Sequence, residues 1–550
     1  MRKFISKIEG MTCKSCEFHV AKALEKANFK SINIDYQSGA AWFEISDEVE
    51  LESIYDALEA TPYKFSEVNE IPKEKEFIQE LLDTSNFDFD ILLIGSGSAA
   101  FSAAIKASEY GVRIGMIEKG VVGGTCVNIG CIPSKVLIKA GELNRSAIQN
   151  PFEGLETSAS LPNLTKLVHQ KDLLVEKLRS DKYIDLISTY NIKLIKGEAR
   201  FINENEIEVN GNKYKSKRFL IATGASPFIP TIKGLDNVDY LTSTSILDLK
   251  EIPKRLTIIG SGFIALELGT LFNNLGSEVT IIQRSDRLLK TYDTEISSSV
   301  ELALSAQGIK FIKGVEYENI EQIKDIRKVY ITVDGQHIVV DSDELLIAAG
   351  RKANTELLNL EAAHVEVGLS GEVIIDAYCQ TSNPRIYAAG DVTDGPQYVY
   401  VAGYEGGVAV ENAIGNKQKK INLTVVPSVI FTSPSITSVG LTESQAIVKG
   451  YMVKVSILHL DAVPRALVNF NTYGVIKLVV DEPSQKILGV HIVSDQAGEL
   501  IYSATLAIKF GLTITDLTDT IAPYLTMAEG LKLAALSFNK DVSKLSCCAN

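Results

Sequence analysis

The chain has 550 residues, 45% of them hydrophobic and 23% charged, and its 55 Lys+Arg against 69 Asp+Glu give a formal net charge of −14. That length exceeds one hydrophobic core and predicts several domains, while an acidic balance with no basic patch argues against nucleic acid and anionic membrane as partners. The first residues lack the apolar core and cleavage site of a secretory leader and no apolar run reaches spanning length, so a soluble, cytoplasmic protein without membrane insertion is expected.

Residues 1–68 predict a small unit of their own. Strand-like 4–9, a helix at 15–26, strands at 31–36 and 41–45, a second helix at 51–60 and a last strand at 63–68 follow the βαββαβ order of a ferredoxin-like fold. Gly10-Met11-Thr12-Cys13-Lys14-Ser15-Cys16 joins the first strand to the first helix, where the helix start favours thiolate. Two exposed thiolates there could grip a soft cation. The segment resembles the heavy-metal-associated domain, whose Met-Thr-Cys-x-x-Cys loop implies Cys13 and Cys16 as metal ligands. Residues 69–86, polar and charged, are expected to be a linker.

At 87 the chain turns apolar. Phe89-Asp90-Ile91-Leu92-Leu93-Ile94 feeds Gly95-Ser96-Gly97-Ser98-Ala99-Ala100 and an Ala-rich helix. A strand, a G-x-G-x-x-A turn and a helix place a pyrophosphate on the helix N-terminus, and Glu118, ending the next strand, is spaced to take adenosine ribose hydroxyls. Gly95, Gly97, Ala100 and Glu118 are therefore candidate ligands of a first dinucleotide.

Shortly after comes Gly123-Gly124-Thr125-Cys126-Val127-Asn128-Ile129-Gly130-Cys131-Ile132-Pro133-Ser134-Lys135. Its two thiols can close a small loop beside that cofactor. In a chain read as cytosolic, a redox pair is the stronger reading over a structural disulfide. Cys379 stands alone and reads as a buried, idle thiol. The six histidines are scattered without metal-ligand spacing.

A second fingerprint, Gly260-Ser261-Gly262-Phe263-Ile264-Ala265, follows an apolar strand. Its second strand ends not in an acid but in Gln283-Arg284-Ser285-Asp286-Arg287, and Arg284 and Arg287 could pair with a ribose 2′-phosphate. Gly260, Gly262 and Ala265 thus point to NADPH. Only one of two dinucleotides can be the soluble hydride donor, so the first is read as FAD, held also by Asp391 in Ala388-Ala389-Gly390-Asp391. Thr223 lies near a crossing between the two domains. The expected fold is α/β: two Rossmann-like domains, for FAD (87–229 and 353–422) and NADPH (230–352), then a C-terminal α+β dimerisation domain (423–550).

The redox stretch, both fingerprints, Ala389-Gly390-Asp391 and the C-terminal part together resemble the FAD-dependent pyridine nucleotide-disulfide oxidoreductases over about 87–550. The resemblance implies a homodimer in which the C-terminal domain of one subunit completes the active site of the other. It further implies that Gly124 and Thr125 adjoin FAD, that Cys131 contacts the flavin and Cys126 faces substrate, and that Lys135 pairs with Glu267.

One departure bears on the substrate. Members that act on glutathione or dihydrolipoamide carry a His-Pro-Thr near the C-terminus, whereas here Tyr524 stands for the His and Leu525 for the Pro. A phenol of ordinary pKa ~10 is a poor proton shuttle at neutral pH, which disfavours thiol substrates. A soft metal ion reducible by two electrons needs no such shuttle and binds thiolates directly. The chain also ends in Cys547-Cys548-Ala549-Asn550, a vicinal thiol pair. Together these features resemble the mercuric-ion-reducing members of the family. That implies NADPH-driven reduction of Hg(II) to Hg(0), small thiols as Hg(II) carriers, capture at Cys13 and Cys16, delivery by Cys547 and Cys548, reduction at Cys126 and Cys131, and Tyr183 as a second active-site phenol. The alternatives are a reductase of an organic disulfide and a soft-metal carrier.

Overall fold

A computed structural model of the chain describes residues 2–12, 14–36, 38–46, 49, 50, 52–71 and 86–544. The N-terminal unit has strands Arg2–Glu9, Lys30–Asp35, Ala40–Ile45 and Lys64–Ile71 and helices Lys14–Lys26 and Glu52–Asp56. Its sheet is antiparallel, with Arg2–Glu9 paired to both Ala40–Ile45 and Lys64–Ile71 and Lys30–Asp35 on the far edge. Period-2 burial in the strands and a stripe at Val20 and Leu24 of the first helix close a core around Phe4, Phe29, Phe43 and Phe65. The second helix is shorter than expected: Pro62 disfavours helical backbone at Thr61, and residues 57–62 are turns. The last strand runs to Ile71, past the boundary expected at 68.

The part expected to bind FAD is built on parallel strands in the order Lys193–Lys196, Ile114–Glu118, Phe89–Ile94, Asn212–Ile221, with Ile386–Ala388 alongside the last. In register, Ile94 pairs with Ile221 and Ile221 with Ala388. Phe89–Ile94 is buried along its whole length, as a parallel strand covered on both faces should be. The sheet is thus completed by a strand from far down the chain.

Between those segments lies a second parallel sheet, Lys310–Ile312, Glu278–Ile282, Arg255–Ile259, Glu344–Ile347, flanked by the meander Glu316–Ile323, Ile326–Val333, Gln336–Ser342. The C-terminal part is a five-stranded antiparallel sheet carrying helices Ala497–Lys509 and Glu529–Leu536. One core cluster joins it to the part expected to bind NADPH, since Ile430, Ile436, Val475 and Val493 pack with Leu268, Leu271 and Val300. Across the same joint the fully buried Lys477 reaches Asp293 (3.3 Å), Glu295 (2.9 Å) and Glu443 (2.7 Å).

Candidate active site

The strand Phe89–Ile94 ends at Gly95, whose φ of +110° and 2.3 Å clearance between a built Cβ and the Ala222 carbonyl exclude any side chain. Helix Ser98–Ser108 starts at once, with Ala100 fully buried. The redox segment then returns against this turn: a Cβ on Gly124 would lie 2.6 Å from Gly97 Cα. Two stretches of bare backbone therefore meet where the helix N-terminus presents its N–H groups, a cradle fitted to the FAD pyrophosphate. Glu118 accepts hydrogen bonds from Ser96 Oγ (2.5 Å) and the Gly120 N–H (2.6 Å), and lines one cleft with Gly95, Thr223 and Asn354. Asp391, just beyond Ile386–Ala388, lies 3.5 Å from Arg351; burial nonetheless pushes its carboxyl above the usual range. These residues fit FAD.

The second fingerprint repeats the geometry. Gly260 (φ +112°) would bring a Cβ within 2.3 Å of the Ala348 carbonyl, Gly262 has open space where a Cβ would be, and Ala265 is fully buried in helix Phe263–Leu275. Arg284 is exposed just past Glu278–Ile282. The Arg287 guanidinium donates to Thr294 Oγ1 (2.6 Å) and the Lys290 carbonyl (2.7 Å), which braces the loop that carries Arg284.

Cys126 lies in helix Gly124–Asn128, and Cys131 opens helix Cys131–Ile148; both are free thiols of intermediate burial. The Cys126 thiol hydrogen-bonds to the Cys131 sulfur, and this bond first, then Lys135, lowers Cys131 to about 7 against the opposing effects of burial and Glu267. The same bond and burial push Cys126 up. The hydrogen bond and Lys135 thus favour the thiolate on Cys131 over Cys126.

Lys135 lies in the next turn of that helix, and its ammonium meets Glu267 Oε2 at 2.5 Å and the Phe431 ring at 4.7 Å. Glu267 comes from the NADPH-binding helix and takes the Phe431 N–H on its other oxygen at 3.0 Å. One ion pair therefore joins the redox helix, the NADPH helix and the C-terminal part.

Tyr183 sits in a single π-turn, Ser180–Ile184, edge-on to Phe101 (4.9 Å between ring centres) and close to Gly123. Burial raises its phenol, a hydrogen bond with Ser98 opposes this, and both thiols act on it electrostatically. The structure so brings together Cys126, Cys131, Lys135, Glu267 and Tyr183. It leaves Tyr524 on a loop of the C-terminal part, 49% exposed.

Two further aromatic residues, Tyr398 and Tyr400, carry no sequence signal of their own. Tyr398 stacks on Tyr400 (5.3 Å) and on Phe263 (6.1 Å) at the NADPH helix start, and Tyr400 feels the charge of Cys131. Only their position just after Gly390-Asp391 could have pointed to them.

Cys16 differs from the expected exposed ligand: it is 7% exposed, and the Thr12 N–H donates to its sulfur at 3.4 Å. Cys13, Cys547 and Cys548 lie outside the described residues. Cys379 is fully buried, as expected of an idle thiol.

The chain belongs to the pyridine nucleotide-disulphide oxidoreductases: the family pattern matches residues 89–406 and its dimerisation domain residues 426–535. Among its relatives are the mercuric reductase of Lysinibacillus sphaericus, 58% identical over the whole of both chains, and that of Bacillus cereus, 57% identical over all of this chain and 87% of the other. The mercuric reductase of Shigella flexneri is 40% identical over 99% of each. Among solved structures, the HOCl-induced flavoprotein disulfide reductase RclA of Escherichia coli superimposes with a TM-score of 0.73 at 30% identity, covering 82% of this chain and all of that one. FAD and NADPH are the cofactors. Among the described residues no helix is long and apolar enough to cross a membrane.

Proposed function

We propose that the protein reduces Hg(II) to Hg(0) at the expense of NADPH. The feature that carries this reading is Tyr524-Leu525, which stands where thiol-reducing members carry His-Pro. The Cys126/Cys131 dithiol with Lys135 beside it can bind a soft cation between two sulfurs, whereas a phenol at position 524 is a poor shuttle for the proton of a thiol substrate.

FAD supplies the relay of an electron pair from NADPH to the Cys126/Cys131 site. Cys126, which faces substrate, attacks incoming Hg(II) and displaces one carrier, its proton leaving with that carrier as the thiol, and the Cys131 thiolate displaces the second carrier as thiolate. Two electrons then reach the metal, both S–Hg bonds break, and the two sulfurs remain as thiolates, so that NADPH + Hg(II) gives NADP⁺ + Hg(0) + H⁺. Lys135 and Glu267 hold the charge balance beside Cys131, and Tyr183 orients the bound ion. Tyr524 approaches from the partner subunit of a homodimer. Small thiols bring the ion, Cys13 and Cys16 capture it, and Cys547 and Cys548 pass it on, all in the cytoplasm.

The test is NADPH-dependent mercury volatilisation under argon with excess small thiol. Cys131→Ala should fall to background while still binding FAD. Full volatilisation by that variant would overturn the reading.

A further inference from the structure

Helix Val399–Ala413 crosses the pyrophosphate helix Ser98–Ser108 backbone to backbone, since a Cβ on Gly406 would lie 2.2 Å from the Ala99 carbonyl. The residue before it, Glu405, is 1% exposed and is used by nothing in the reaction above. Its Oε2 accepts the Gly390 N–H at 2.7 Å, which ties the helix to the turn that carries Asp391. Its Oε1 is buried with no partner, and a Cβ on Gly395 would come within 3.1 Å of it.

The charges around Glu405 are mostly of its own sign. Asp391 and Asp394, on the turn, both act to keep it protonated. Arg351 faces Asp391. On the crossing helix Lys106 is engaged by Glu109 (2.7 Å) and Glu411 (3.9 Å). Behind it the Cys379 thiol donates to the Glu405 carbonyl at 3.7 Å. A buried carboxyl with one N–H donor, an empty oxygen and two acids beside it favours its neutral form; burial raises it to about 7.

We propose that Glu405 is a positioning residue for the flavin that works as the neutral acid, fastening the Gly390-Asp391 turn to the pyrophosphate helix without adding charge beside the FAD phosphates. The bound pyrophosphate is itself anionic, so FAD raises the cost of ionising Glu405, and by linkage ionised Glu405 weakens FAD. The sign follows: the affinity is complete while the free site is protonated and falls as pH rises through about 7. This goes beyond the reduction of mercury, because retention of FAD is measured with no metal present and can fail while that activity stands.

Holoenzyme is diluted at constant ionic strength, and the fluorescence of freed flavin reports FAD release from about pH 6.5 to about pH 8.5. In the unaltered protein release should quicken by about tenfold across that range. Glu405→Gln keeps the acceptor for Gly390 without the charge, and should hold FAD at every pH as firmly as the unaltered protein does at the acid end. Glu405→Ala should release it faster throughout. Should the variants fold poorly, infrared spectroscopy of the unaltered holoenzyme should show a protonated-carboxyl band that fades in step with FAD release. An unchanged pH dependence in Glu405→Gln, a flat profile in the unaltered protein, or no such band would each overturn the assignment.

Discussion

The Cys126 thiol donates to the Cys131 sulfur, and Lys135 stands in the following turn, so both favour the thiolate on Cys131. Removing the donor while leaving the lysine separates the two causes. In Cys126→Ala the pH midpoint for alkylation of Cys131 should move from about 7 towards the ordinary thiol value of ~8.5. Cys126→Ser, which keeps a hydroxyl donor, should hold it down; iodoacetamide labelling followed by mass spectrometry reads both. The chain itself marked both cysteines, but not which one is the anion. That depends on Lys135 and Glu267, residues 132 apart in sequence and 2.5 Å apart in space. Burial of Cys16 was equally illegible, because it follows from the packing of the helix stripe at Val20 and Leu24 rather than from its own motif.

The two fingerprints were readable at the level of elements because the first glycine of each answers a steric demand that no other residue meets. Gly95 and Gly260 make the same turn, each against the carbonyl of an alanine just past the end of the neighbouring strand. Gly124→Ala should push the redox loop off Gly97, at a cost of about 1–3 kcal/mol, and should yield protein with depleted flavin absorbance. The π-turn at Tyr183 was not readable, since no residue pattern marks it, whereas the early end of the second helix at Asp56 had a signal in Pro62 that the apolar spacing outweighed. A second element-level prediction concerns the joint between helix Thr294–Ala306 and strand Val475–Asp481. Lys477→Met leaves Asp293, Glu295 and Glu443 around a buried space without their cation. Because Glu295 and Glu443 are partly exposed, the loss should be about 3 kcal/mol, toward the lower end for a broken buried pair, and a melting temperature several degrees lower in calorimetry is expected.

At the scale of the molecule, the C-terminal part presents Tyr502, Leu506 and Phe510 at successive turns of one helix face, and Ile521 and Tyr524 follow in the chain, all open in the single chain. An apolar stripe of that kind, on a part that matches a dimerisation domain, belongs against a second copy. The double variant Tyr502→Glu, Phe510→Glu should sediment as a monomer and still bleach its flavin with NADPH. Its mercury reduction should fall by about two orders of magnitude, as expected when a positioning group is withdrawn. Intact reduction by a proven monomer would place Tyr524 outside the chemistry.

The FAD sheet also sets a timetable. Strand Asn212–Ile221 receives its neighbour Ile386–Ala388 only after the whole of the NADPH-binding sheet, Arg255–Ile259 to Glu344–Ile347, has been made. On a ribosome the stretch between them takes roughly 10–30 s to synthesise. For that interval the first half waits with an open sheet edge and without Asp391, while the inserted part already holds every strand it needs. Nascent chains stalled before residue 386 should therefore carry a protease-resistant NADPH-binding unit between unprotected flanks, and should acquire FAD only once the returning strand has emerged.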